Sequence, residues 1–77
     1  MTRTVFNWTF DDVVRFLKDN GFVHKHTEGS HFYYTATHGG TFWQVCVPFH
    51  GSRALKPRTM NGIIKQSGFP KEKWFGR

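Results

Sequence analysis

Apolar side chains recur at Phe10, Val13, Val14 and Leu17, the i, i+3, i+4, i+7 spacing of one buried helix stripe. The spacing predicts a helix over 9–20, with Thr9 as N-cap and Asp11 and Asp12 in the first turn, where carboxylates meet the positive end of the helix dipole. Asn20-Gly21 supplies the stop, since glycine takes up the left-handed backbone that follows a helix. Three short strands come next: Phe22–Thr27, Ser30–Thr37 and Thr41–Val47. Glu28-Gly29 and His38-Gly39-Gly40 are the turns between them, and Pro48, lacking an amide donor, ends the third. The run Phe32-Tyr33-Tyr34-Thr35 is aromatic and β-branched, suited to a pleated surface. A second helix is expected from Arg58 to Ser67, with Thr59 as cap, Met60, Ile63 and Ile64 inward, and Gly68 and Pro70 closing it. The remainder, Lys71 to Arg77, reads as a final turn or a loose tail.

The resulting order, α-β-β-β-α, predicts an α+β fold: a three-stranded antiparallel sheet with both helices on one face. Double-stranded-RNA-binding domains share this order, but order alone does not fix function. The chain of 77 residues is read as one domain, residues 1–77, with a core over 9–69 and a short basic, aromatic tail over 70–77. Val45 and Val47 favour the helix side, which would take Trp43 inward as well. About half of Phe32, Tyr33, Tyr34 and Trp43 should face outward, where aromatic rings can stack on bases.

Charge narrows the partners. Eleven Lys and Arg stand against five Asp and Glu, giving a net charge of +6. From Ser30 onward seven basic residues face a single acid, Glu72. A one-sided balance of this size favours a polyanion such as nucleic acid over charge that serves only solubility. Cys46 is the only cysteine, so it can neither close an intrachain disulfide nor anchor a cysteine-rich zinc site, and a reducing compartment suits it. It reads as a small buried or half-buried hydrophobe. No apolar run approaches the ~20 residues of a membrane span, and the stretch from Met1 to Trp8 has no signal-peptide core, so a cytoplasmic protein is expected.

Several segments, in order, resemble the HicA-type (YcfA-like) mRNA interferase toxins. They are Gly21-Phe22-Val23 after the first helix, Gly29-Ser30-His31 at the second strand, and Val45-Cys46-Val47-Pro48-Phe49-His50 at the end of the third. Leu55, Thr59 and Ile63-Ile64-Lys65-Gln66-Ser67-Gly68 follow in the second helix. The resemblance spans about residues 10–69. It implies a double-stranded-RNA-binding-domain-like fold and metal-independent cleavage of mRNA, with no cofactor. It also implies an inhibitory HicB-type antitoxin covering the active site, and places His31 as the catalytic residue. Glu28 stands where many family members carry a basic residue.

The chemistry needs little more. RNA carries its own nucleophile, the ribose 2′-hydroxyl, and histidine, with an unperturbed pKa of ~6.5, suits proton transfer near neutral pH. His31 is read as general base or acid, with Gly29 allowing close backbone approach and Ser30 donating to a phosphate oxygen. His50 reads equally as a second acid–base group, a phosphate contact or a loop-stabilising histidine. Arg53, Lys56, Arg58 and Lys65 are expected to hold phosphate, Lys65 with a solvated helix position as its rival. His24 and His26, two apart on a strand, should share a face; with no third ligand evident, they read as solvated or RNA-facing rather than as a metal site. His38 reads as a turn residue. The sequence therefore predicts an endoribonuclease toxin with mRNA and a HicB-type antitoxin as partners, and neither membrane nor direct DNA binding by the toxin alone. The alternatives are a non-catalytic RNA-binding module on the same fold, and a protein-interaction domain whose basic face meets an acidic partner.

Overall fold

The computed structural model describes residues 4–76; Met1–Arg3 at the start of the chain and Arg77 at the end of the tail lie outside it. The order is α1 (Phe10–Asp19), β1 (Val23–Glu28), β2 (His31–His38), β3 (Thr41–Pro48), α2 (Pro57–Ser67) and α3 (Lys71–Phe75). The expected α-β-β-β-α order is present, with one short helix added. The strands form one antiparallel sheet in the order β1-β2-β3.

Helix α1 starts where its cap places it. Thr9 accepts from the Asp12 amide (3.2 Å) and Asp12 accepts from the Thr9 amide (3.0 Å), a reciprocal capping box. Helix α2 begins one residue earlier than expected. Pro57, whose fixed φ suits the first helical position, opens it after Lys56, and Thr59 lies inside the helix instead of capping it.

Alternation along β2 and β3 gives the sheet two unlike faces. Phe32, Tyr34, Val45 and Val47 face the helices, and Tyr34, Val45 and Val47 are buried together with Val13 and Leu17 of α1 and Met60, Ile63 and Ile64 of α2. Trp43 joins that side, as expected, and packs half-buried on the core. Of the four aromatic residues in question, only Tyr33 lies on the open face.

Strand β1 departs from the regular pattern. His24 pairs with Tyr34 and His26 with Tyr33, so Lys25 is an extra residue in a bulge. The bulge puts the two histidines on opposite faces, contrary to the shared face that regular alternation predicts. His24 turns to the helix side, near Phe32 and Tyr34, and accepts or donates a hydrogen bond at Thr27 Oγ1 (2.8 Å). His26 stacks on Tyr33 on the open face.

The tail is part of the core. Trp74 of α3 is buried and stacks on Phe16 at 3.8 Å, and Trp8 meets Trp74 edge-on at 5.5 Å.

Candidate active site

The Gly29-Ser30-His31 segment forms the turn into β2. Gly29 holds a φ of +59°, a conformation glycine adopts at no steric cost. His31 is the first residue of β2, exposed on the open face, opposite Glu28 on one side and Pro48 on the other. The ladder continues one step beyond the strand, where the Phe49 amide donates to the Ser30 carbonyl at 2.7 Å. This bond fixes the start of the 49–56 loop against the Gly29-Ser30-His31 turn. His50 follows two residues after the ladder partner of His31, within about 7 Å of backbone.

The loop itself is pinned. Thr9 and Ala54 form a bridge, the Leu55 amide donates to the Trp8 carbonyl (2.7 Å), and Leu55 is buried. His50, Arg53, Ala54 and Lys56 line an open cleft there. Helix α2 starts at its border. Lys56 is the N-cap residue without a side-chain cap bond, Arg58 is the second helical residue, and the first turn holds no acid. Unpaired backbone amides and the helix dipole add positive potential at that end. Two of the expected cations, Arg53 and Lys56, thus line one cleft with His50, and Arg58 follows in the first turn of α2.

Lys65 does not join them. It lies in the last turn of α2, about 12 Å along the axis from Pro57, where a cation faces the negative end of the helix dipole. Its neighbour Gln66 accepts from the Cys46 amide at 2.9 Å.

Sequence reasoning assigned His38 to a turn, and the structure gives it a different role. Its ring lies between Phe69 (4.3 Å, 11°) and Trp43 (5.2 Å, 15°), and its Nε2 bonds the Ser67 carbonyl at 2.8 Å. Phe69 and Ser67 come from the far end of the chain, so no local signal could reveal them. His38 fastens the end of α2 to the sheet.

On the open face, Cys46 lies beside the Tyr33 phenol. The charge and hydrogen bonding of Cys46, then desolvation, then the Glu28 carboxylate, raise the phenol above its ordinary 10.0. It stays protonated at neutral pH. Burial raises Tyr34 in the same direction. Among the described residues, no group of three His, Cys, Asp or Glu is placed to hold a metal ion, and no helix is long and apolar enough to cross a membrane.

No curated protein matches the chain. A family model described as the HicA toxin of bacterial toxin-antitoxin matches residues 10–69, which include the Gly29-Ser30-His31 turn, the pinned loop and α2. The match runs from the first residue of α1 to just past α2 and covers most of the chain, so the chain belongs to the HicA toxin family of toxin-antitoxin systems.

Proposed function

We propose that this toxin is a metal-independent endoribonuclease that cleaves mRNA in the cytoplasm, with His31 as its catalytic residue. The observation that supports the reading is the hydrogen bond from Phe49 to Ser30, because it ties the turn that carries the exposed His31 to the start of the loop that supplies His50, Arg53 and Lys56 to the cleft.

The cleft takes the phosphate: Arg53 and Lys56 line it and Arg58 stands at its helix, where each can offset the negative charge that grows on the phosphorus oxygens. Ser30 donates to a phosphate oxygen, and the bare Gly29 lets the ribose come close to the backbone. His31 exchanges a proton with the ribose as general base or acid, and His50, two residues past the ladder partner Pro48, is the candidate for the complementary transfer. The 2′-oxygen attacks phosphorus, the bond to the 5′-oxygen breaks, and that oxygen takes up a proton. The products are a 2′,3′-cyclic phosphate and a 5′-hydroxyl end. The nucleophile belongs to the substrate, so no metal-bound water is required. A HicB-type antitoxin silences the enzyme by covering His31 and the cleft, and an acidic partner suits a chain of +6.

Induced expression of the wild-type chain and of His31→Ala tests this. The wild type should arrest growth and fragment mRNA, leaving cyclic phosphate ends by mass spectrometry. His31→Ala should bind RNA without cleaving it. Equal cleavage by the variant, or 5′-phosphate ends, would refute the assignment.

A further inference from the structure

We propose that His26 and Tyr33 form a base-stacking subsite for single-stranded RNA on the open face of the sheet, one ladder row from His31. The proposal rests on the nuclease reading for its substrate class and deepens it by placing the base next to the reacting phosphate.

Three observations converge. First, the open face presents successive cross-strand rows: Glu28–His31–Pro48, then His26–Tyr33–Cys46, then Val23–Thr35–Gln44. Tyr33 lies two residues from His31 on the same strand, so their side chains rise from the same face roughly 7 Å apart. Phe32, Tyr34 and Trp43 are turned away to the helices, which leaves the Tyr33 row as the aromatic site nearest the imidazole. Second, the His26 and Tyr33 rings are parallel within 17° at 4.5 Å, and His26 is exposed. A flat pair of this kind extends by one more ring, because every base offers a π-face. Third, the bulge at Lys25 produces this pairing: it directs His26 to the open face while His24 goes to the other.

Charge and polarity select RNA as the occupant. Past Ser30 the chain carries seven cations and one acid, with Arg53 and Lys56 in the loop tied to the His31 turn, and Gln44, exposed in the row beyond the stack, is a polar group suited to base edges. The helices pack on the opposite face, and His26, His31 and Gln44 are exposed on this one.

The test measures binding of a fluorescent single-stranded oligoribonucleotide by anisotropy, in a His31→Ala background so that the RNA stays intact. His26→Ala and Tyr33→Leu should each weaken binding about five-fold or more, the low end of a base–aromatic stack, while Tyr33→Phe stays within two-fold. His26 is an exposed residue of an outer strand, so His26→Ala keeps the test valid even where Tyr33→Leu perturbs folding. An abasic oligonucleotide of equal length should bind the background protein and its His26→Ala derivative equally. Unchanged affinity in His26→Ala overturns the subsite, as expected if the face serves a protein partner. An equal loss on abasic strands also overturns it, as charge alone would then account for the effect. Neither result depends on cleavage, so the subsite can fail while His31 stands, and His31 can fail while the subsite stands.

Discussion

Gly68 offers a quantitative test of how the helices are held to the sheet. It ends α2 with φ +77° and ψ 4°, and a Cβ added there would lie against Cε2 of Trp43, with Cδ2 and Cζ2 at 2.6 Å. The ring has little room to retreat. It stacks on His38, its Nε1 donates to the His38 carbonyl (3.2 Å), and His38 in turn stacks on Phe69. Gly68→Ala therefore meets two separate penalties. Left-handed backbone costs a non-glycine residue about 1–2 kcal/mol. Forcing a packed ring aside costs about 1–3 kcal/mol more. Against a stability of roughly 4–12 kcal/mol for 77 residues, the sum is a large fraction. Gly39→Ala is the matched control: φ is +60° there, but nothing lies within 4 Å of the new Cβ. Both substitutions restrict the unfolded chain alike. Thermal unfolding followed by circular dichroism should thus place Gly68→Ala below Gly39→Ala by roughly 4–24 °C, at 4–8 °C per kcal/mol. Equal melting temperatures would show that Trp43 does not lock the end of α2.

Other consequences are open to direct measurement. Ser67 is fully buried, donates to the Ile64 carbonyl (2.6 Å) and accepts from the Phe69 amide (3.2 Å) and the Trp74 indole (3.1 Å). Ser67→Ala strands two donors and should lower the free energy of unfolding by about 2 kcal/mol or more in urea titrations. Trp74→Ala removes a ring packed on both Phe16 and Trp8 and should cost about 3–5 kcal/mol, although it lies beyond the family-matched segment; a loss under 1 kcal/mol would place the tail outside the core. In the RNA-binding assay, Arg53→Ala with Lys56→Ala should reduce the slope of log K against log salt by about 1.4, or 0.7 per lost phosphate contact, and an unchanged slope would remove the cleft from the interface.

What could be read in the chain follows from how local each cause is. The apolar stripe and the Thr9 cap of α1 lie within a dozen residues, and both appear as expected. Val45 and Val47 declare the inner face of β3 by alternation alone. The start of α2 differs from its expected place at Arg58 with Thr59 as cap, because Pro57, whose fixed φ suits the first helical position, already opens the helix. The bulge was not: Val23-His24-Lys25-His26-Thr27-Glu28 has no apolar alternation to fix its register, and β1 is exposed along its whole length. His38 was hidden for another reason, because its hydrogen-bond partner Ser67 lies 29 residues away. At the candidate site, the motif around His31 was plain in the sequence. The clustering of Arg53 and Lys56, without Lys65, needed the pinned loop and the axis of α2.

The extra residue in β1 has a further effect on how these molecules behave toward one another. A regular outer strand with unpaired amides and carbonyls is a template on which a second chain can assemble. Lys25 interrupts that row with an offset and a charge, while Gln66 occupies an amide at the opposite border of the sheet. Deleting Lys25 would preserve every remaining partner of β1 and smooth the border, so self-association in sedimentation should rise although each molecule keeps its fold. A single lysine thereby works against edge-to-edge pairing of two copies.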